Sequence, residues 1–277
     1  TVRSCFKTEL NNVTRKDIEK YHQGLRQLTS YKWSKNHEQL NTKANKILPC
    51  KYHVDESPVE EFQFFKSKVN LTDLYNFSFA MSIMSLNGQL QSNFGINTCV
   101  DLRQFIPQNK RTPYNTQNTS IVSVLADVHP KMTVREVLKL LHQDLQKKLH
   151  DSSPYTTYKC LITSDFPSLE KNTSGPELSN ISRFFVSEEY SRKITDLWVQ
   201  QSATSEVSEG GCFLLSFSRM KNGKNTLVTR FQQPRSVMND RDGNLMIKSI
   251  IHLMKNVPLD VSVQEAYDEL KAFQKGI

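Results

Sequence analysis

Apolar positions along this chain recur at two spacings, and the change from one to the other marks the elements. Val134, Val137, Leu138, Leu141, Leu145 and Leu149 fall three or four apart, which predicts a helix over Thr133–Leu149. Thr133 with Glu136 supplies a capping box at its start, and Pro130 precedes it. Ile18, Tyr21, Leu25 and Leu28 repeat the helical spacing behind Thr14 and Asp17, and Ser262 with Glu265 opens a last helix over Val261–Phe273. Leu245–Met254 reads as the helix before it. Ser57-Pro58-Val59-Glu60 has a serine, a first-turn proline and an acid, which predicts a helix carrying Phe62, Phe65 and Val69. A further helix is expected from Thr72 to Ser85, closed by an Asn87-Gly88 turn signal. Its Leu74, Phe77, Met81 and Met84 are expected in the core, with a ligand cavity as the other reading.

Short apolar runs bounded by turn residues predict the strands. They are Ile47–Val54 at an edge, Ile96–Leu102, Ile121–Ala126, Tyr158–Thr163 and Cys212–Ser218. Asn225–Phe231 pairs with the last of these across Lys221-Asn222-Gly223-Lys224, because Asn-Gly supplies the positive φ angles of a tight hairpin. Glu177–Ser187 reads as a turn passing into a strand. Thr29–Lys46 and Gln108–Asn118 are polar connections without periodicity. Strands interspersed with helices give an α/β (α+β) class, a mixed β-sheet flanked by helices. The expected organisation is an N-terminal helix and connecting segment over 1–56, followed by one lobe over 57–277.

Composition narrows the function only by exclusion. The 277 residues are 37% hydrophobic and 23% charged, enough for a packed core. No apolar run reaches the roughly 18 residues of a membrane span, and no signal peptide is visible. The net charge of +8 is spread along the chain in short pairs such as Lys110-Arg111 and Lys147-Lys148, so a nucleic-acid partner is not expected. Cys5, Cys50, Cys99, Cys160 and Cys212 are widely spaced and include no CxxC, which suggests neither a metal site nor a redox motif. Reduced thiols point to an intracellular location, cytoplasmic or membrane-peripheral. Asn-x-Ser/Thr sequons at Asn12, Asn70, Asn76, Asn118, Asn172 and Asn180 leave a secretory route open. Neither a Gly-x-Ser-x-Gly elbow, nor a P-loop, nor a dinucleotide fingerprint occurs.

One stretch carries a family resemblance. A helix feeding Gly95-Ile96-Asn97-Thr98-Cys99-Val100-Asp101-Leu102-Arg103 and stopped by Pro107 resembles the C-terminal lobe of the coenzyme-A-dependent acyltransferases. That superfamily includes alcohol O-acetyltransferases and the condensation domains of peptide synthetases. Leu178-Ser179-Asn180 resembles the Ser-Asn step near the substrate tunnel of alcohol acetyltransferases, and Gly211–Phe231 the paired strands that follow it. The match runs in order over about residues 47–273, and departs at Ser182, where the family usually has glycine.

The resemblance implies a chloramphenicol-acetyltransferase-like lobe, acetyl-CoA or another acyl-CoA as co-substrate, no metal, and a small alcohol or amine as acceptor. It places Asp101, Arg103, Ser179 and Asn180 at the tunnel for substrate or cofactor. For Asp101 with Arg103, a surface ion pair is the competing reading; for Asn180, an ordinary turn asparagine. The family's base is the histidine of His-x-x-x-Asp, which takes the acceptor's proton. Here the residues four beyond the seven histidines are Arg26, Asn41, Ser57, Thr133, Gln146, Pro154 and Asn256, so the motif is absent. His129 and His142 are expected to be exposed and uninvolved. The chain begins at Thr1, and the expectation is that a partner lobe upstream carries the motif. An acyltransferase half, inactive alone, and a non-catalytic binding or scaffold protein on the same lobe are both kept. A lobe that packs against another half should also expose an apolar face, for which Met81, Met84, Phe184-Phe185, Phe213 and Phe217 are the candidates.

Overall fold

A computed structural model describes residues 6–32, 50–106, 119–163, 165, 173–183, 212–221, 224–235 and 237–277. The helices are α1 (Lys7–Asn12), α2 (Arg15–Leu25), α3 (Gln63–Ser67), α4 (Leu71–Asn87), α5 (Val134–His150), α6 (Ser153–Thr163), α7 (Asp240–Asn256) and α8 (Val263–Lys275). The strands are β1 (Tyr31–Lys32), β2 (Cys50–Pro58), β3 (Asn93–Asp101), β4 (Thr119–Asp127), β5 (Thr173–Ser174), β6 (Pro176–Arg183), β7 (Cys212–Lys221) and β8 (Lys224–Pro234).

Six strands form one mixed sheet in the order β2-β8-β7-β6-β3-β4, and β1 pairs with β5 in a small second sheet. The centre of the large sheet is parallel: β3 pairs with β6 (Thr98 opposite Leu178), and β6 with β7 (Asn180 opposite Ser216). The flanks are antiparallel, β4 on β3 and β2 on β8. β7 and β8 form the expected hairpin ladder; Asn222-Gly223 lies outside the described residues.

Helix α4 crosses the middle of one face, and every residue from Asp73 to Ser85 is buried. A helix enclosed on all sides has no use for a polar stripe, and its buried polar residues, Asp73, Asn76, Ser78, Ser82 and Ser85, are small or uncharged apart from Asp73. Asn70 caps it by accepting from the Thr72 and Asp73 amides at 2.8 and 3.4 Å. Gly88 ends it at φ 74°, so Asn87-Gly88 is a helix C-cap rather than a separate turn. α5, α7 and α8 pack against α4, while α2 and α6 lie against β4. The capping boxes at Thr133–Glu136 and Ser262–Glu265 both form, and a bridge between Thr133 and Ser262 ties the starts of α5 and α8 together.

Two contacts fix the sheet's surroundings. At Gly95 the backbone of Gln27–Thr29 straps over β3: Thr29 donates to Gly95 O at 2.8 Å, and Gly95 N–H donates to Thr29 Oγ1 at 2.9 Å. At the β4 edge, Asp144 of α5 accepts from the Leu125 amide at 2.8 Å, and Lys148 donates to Ser123 O. Asp144 and Lys148 also pair with each other at 2.7 Å.

Several expectations are corrected. Tyr158–Thr163 is not a strand; it is the last half of α6, whose Ser153 amide donates to Asp151 Oδ1 at 2.7 Å and whose first turn holds Pro154. Tyr155, Tyr158 and Ile162 pack on Phe6 and Leu10 in a satellite cluster. Ser57-Pro58 ends β2 instead of starting a helix; a 3₁₀ turn at Val59–Glu61 follows, then the short α3. Phe62 is fully buried, whereas Phe65 is 59% exposed. Met81, Met84 and Phe217 are buried and Phe213 is partly covered, so none of them forms the exposed apolar face expected of a lobe. Phe184-Phe185 lies outside the described residues.

Candidate functional site

A cleft of about 300 Å³ opens where the parallel strands β6 and β7 reach their C-terminal ends. Asn70, Leu71 and Thr72 bring the first turn of α4 to it, Asn180 comes from β6, Ser218 from β7, and Asn225 and Leu227 from β8. Val59 and Phe64 close the side toward β2. The placement follows from the topology, because side chains at the carboxyl ends of parallel strands converge with the start of a covering helix. Four apolar and five neutral polar side chains line it and, among the described residues, no ionisable one.

Asn180 is held rigidly. Its Nδ2 donates to Thr72 Oγ1 at 3.0 Å and its Oδ1 accepts from Ser216 at 3.1 Å. Beneath it, Ser216 and Thr229 bond the hydroxyl of the fully buried Tyr75, whose pKa rises through burial. A polar chain therefore runs from the cleft wall into the core under α4.

The other sequence-derived site residues lie apart from this point. Ser179, one residue before Asn180, is on the opposite sheet face by strand alternation. It bonds Cys99, which also donates to Glu177 Oε1 at 3.1 Å. Burial, with the Glu177 carboxylate next, raises the Cys99 pKa well above the usual thiol range, so this is not an activated nucleophile. Asp101 and Arg103 end β3 as a local pair at 2.7 Å, with side chains 49% and 63% exposed. Asp101 also caps the 3₁₀ turn Leu102–Phe105 by accepting from the Arg103 amide at 2.9 Å. The two share the C-terminal end of the parallel strands with Asn180, but they do not line the cleft.

One constellation escaped the sequence reading. His142 of α5 places Nδ1 2.8 Å from Oδ2 of Asp73, whose side chain is only 4% exposed. Burial pushes the Asp73 carboxyl up to about 6, against the opposing pull of His142. Asp73 follows the capping residues of α4, and His142 had no motif around it; no local spacing could have paired residues 69 apart. Among the described residues, no group of three or more His, Cys, Asp and Glu side chains is arranged to hold a metal.

The chain matches no protein-family model and no curated protein. Solved structures do match it. The starter condensation domain of rhizomide synthetase in complex with C8-CoA superposes with a TM-score of 0.57 at 10% identity, over 94% of this chain and 56% of that one. The X-domain from teicoplanin biosynthesis gives 0.56 at 10% identity, over 95% and 59%. Trichothecene 15-O-acetyltransferase from Fusarium sporotrichioides gives 0.53 at 10% identity, over 88% and 53%. The likeness is one of fold. The chain has the architecture of a condensation-domain and acetyltransferase-like lobe, and it spans about half the length of the structures it matches. Among the described residues, no helix is long and apolar enough to cross a membrane.

Proposed function

We propose that this chain is one lobe of an acyl-CoA-dependent O- or N-acyltransferase of the alcohol-acetyltransferase type. It forms a wall of the tunnel and is inactive alone. The observation that carries the reading is the cleft at the ends of β6 and β7, in which Asn180 of the Leu178-Ser179-Asn180 step is fixed by Thr72 and Ser216. Its neutral lining suits the thioester end of an acyl-CoA; the phosphates of the nucleotide end would need cations that these residues lack. Acyl-CoA supplies an activated acyl carbon. Asn180 and Thr72 shape the wall beside it, and the apolar Val59, Phe64 and Leu227 keep water from it. The base that takes the acceptor's proton belongs to a partner lobe carrying His-x-x-x-Asp.

A non-catalytic binding or scaffold protein on the same lobe is the second reading. It is favoured by the burial of Met81, Met84 and Phe217, which the chain covers by itself.

The test combines acetyl-CoA titration, read by amide shifts of the isotope-labelled chain, with a thioester-cleavage assay. Shifts at Thr72, Asn180 and Ser218 without turnover are expected from the chain alone, and turnover is expected on adding a lobe with His-x-x-x-Asp. Absence of shifts at the cleft overturns the binding claim. Turnover by the chain alone, abolished by mutating one of its histidines, overturns its inactivity.

A further inference from the structure

The two margins of the large sheet differ. At β4 the chain's own α5 occupies the Leu125 amide and the Ser123 carbonyl. At the other margin β2 pairs with β8 over its whole length, from Cys50 opposite Pro234 to Pro58 opposite Thr226, and among the described residues no strand lies beyond it. Every second residue of β2 therefore aims its backbone N–H and C=O away from β8. Val54, in the middle of this margin, is 43% exposed. Nine residues is long for the edge of a sheet, and an extended segment laid beside β2 gains a full hydrogen-bond ladder.

The side chains of β2 decide which segment fits. Lys51 and Asp55 stand symmetrically about His53 in Cys50-Lys51-Tyr52-His53-Val54-Asp55-Glu56. His53 is opposite Phe231, which packs on Phe79 of α4, so alternation puts Lys51, His53 and Asp55 on the helix-covered face. Tyr52 and Val54 lie on the other face. A second β2, laid antiparallel across a two-fold axis at His53, brings Lys51 opposite Asp55 of the second copy and Asp55 opposite its Lys51. On the other face Tyr52 meets Val54 of the second copy, again twice. Opposite charges and aromatic–β-branched pairs are the cross-strand neighbours that stabilise an antiparallel ladder. Lys51 reaches Asp240 only at 3.9 Å, and Asp55 accepts from the neutral Ser57 hydroxyl, so both charges gain from the pairing. His53 meets its own copy at the axis, and burial holds its pKa below the usual histidine value, so the two rings meet uncharged. A basic foreign strand would set its charge against Lys51, and an acidic one against Asp55.

We infer that β2 is the interface between two copies of this chain, joined antiparallel about His53 so that their large sheets become one. About six to eight backbone hydrogen bonds close the join. A second copy is the occupant because the charges and the apolar side chains of β2 complement themselves. β2 runs into Val59, which lines the cleft, so the two-fold axis sends the two clefts to opposite ends of the joined sheet. Each cleft keeps its own opening, and the interface is independent of the acyl-transfer reading.

Sedimentation equilibrium of the full chain at rising concentration tests this. The mass is expected to climb from 32.0 kDa toward twice that value. Lys51→Glu sets an acid against Asp55 of the second copy, and Asp55→Lys sets a base against Lys51. Each variant alone is expected to dimerise about tenfold more weakly than the parent. Mixed in equal amounts, the two variants should pair with each other as tightly as the parent does, because both contacts then join opposite charges. Recovery on mixing also establishes that both variants fold. If Asp55→Lys unfolds, Lys51→Glu carries the test by itself, read beside its unfolding midpoint. A parent that stays monomeric or a dimer indifferent to Lys51→Glu would overturn the inference. So would variants that unfold at the parental midpoint yet fail to recover on mixing. No readout involves a thioester, so the outcome stands apart from the acetyl-CoA titration.

Discussion

Asp73 and His142 meet at 2.8 Å between α4 and α5, with the carboxylate enclosed and the imidazole 44% exposed. The Asp73 carboxyl titrates near 6 in the folded chain against an ordinary value of 3.8, because burial outweighs the attraction of His142. A carboxyl whose pKa is raised on folding binds its proton more tightly in the native state. Its contribution to stability is therefore fullest below about pH 3.8 and is lost as the pH rises through about 6. Asp73→Asn retains an acceptor for His142 and removes the charge. Denaturant unfolding at pH 5 and pH 8 should show the variant gaining on the parent at the higher pH, by roughly 1 kcal/mol. Identical pH dependence in the two proteins would show that His142 compensates the buried charge fully.

Gly95 should not tolerate a side chain. A Cβ there would lie 2.7 Å from Gln27 O and 3.0 Å from Leu28 Cα, both backbone atoms of the strap, as well as 2.8 Å from Leu125 Cδ2. Gly95→Ala is expected to cost about 1–3 kcal/mol and to speed amide exchange at Thr29, whose hydrogen bond to Gly95 O would be displaced. A variant with parental stability and unchanged exchange at Thr29 would show that the strap shifts without penalty.

Asn180→Leu removes both ends of the bridge between Thr72 and Ser216, leaving two hydroxyls to find other partners. A loss of about 1–3 kcal/mol is expected. The loosened Thr72 should also weaken acetyl-CoA binding in the cleft, so stability and affinity ought to fall together. A stable variant with intact binding would reduce Asn180 to a spectator.

At the start of α5, Thr133→Ala breaks a capping box in which the Thr133 amide donates to Glu136 at 2.8 Å and the Glu136 amide to Thr133 Oγ1 at 3.2 Å. The expected cost is about 1 kcal/mol, read as a lower unfolding midpoint. It should be accompanied by a rise in the Glu136 pKa: the Thr133 backbone amide, which does most to hold that carboxylate below its usual range, stays, but the Thr133 hydroxyl that donates to it at 3.0 Å is lost.

What was legible in the sequence was local chemistry. Thr14–Asp17, Thr133–Glu136 and Ser262–Glu265 each announce a helix start within four residues, and all three boxes form. The strands around Ile96, Val122 and Leu214 show themselves by β-branched and aromatic runs and share the sheet as expected. Tyr158–Thr163 failed because a short apolar run suits a strand and a buried helix alike. The Asp151 and Pro154 signals just upstream would have decided it. The site was harder to read. Asn180 could be singled out by its step, but its partners Thr72 and Ser216 are 108 and 36 residues away.

The Asp144 and Lys148 contacts to β4 decide how this sheet can grow. A strand at the rim of a sheet is a template for another molecule, since its outward amides and carbonyls bind any extended segment that arrives. Here the Leu125 amide and the Ser123 carbonyl are already occupied by side chains of the chain's own α5. An incoming strand would have to evict a carboxylate and an ammonium that also hold each other. The β4 margin thus behaves as a terminated polymer end, and edge-to-edge stacking of copies through it is blocked without any residue of β4 itself being charged for the purpose.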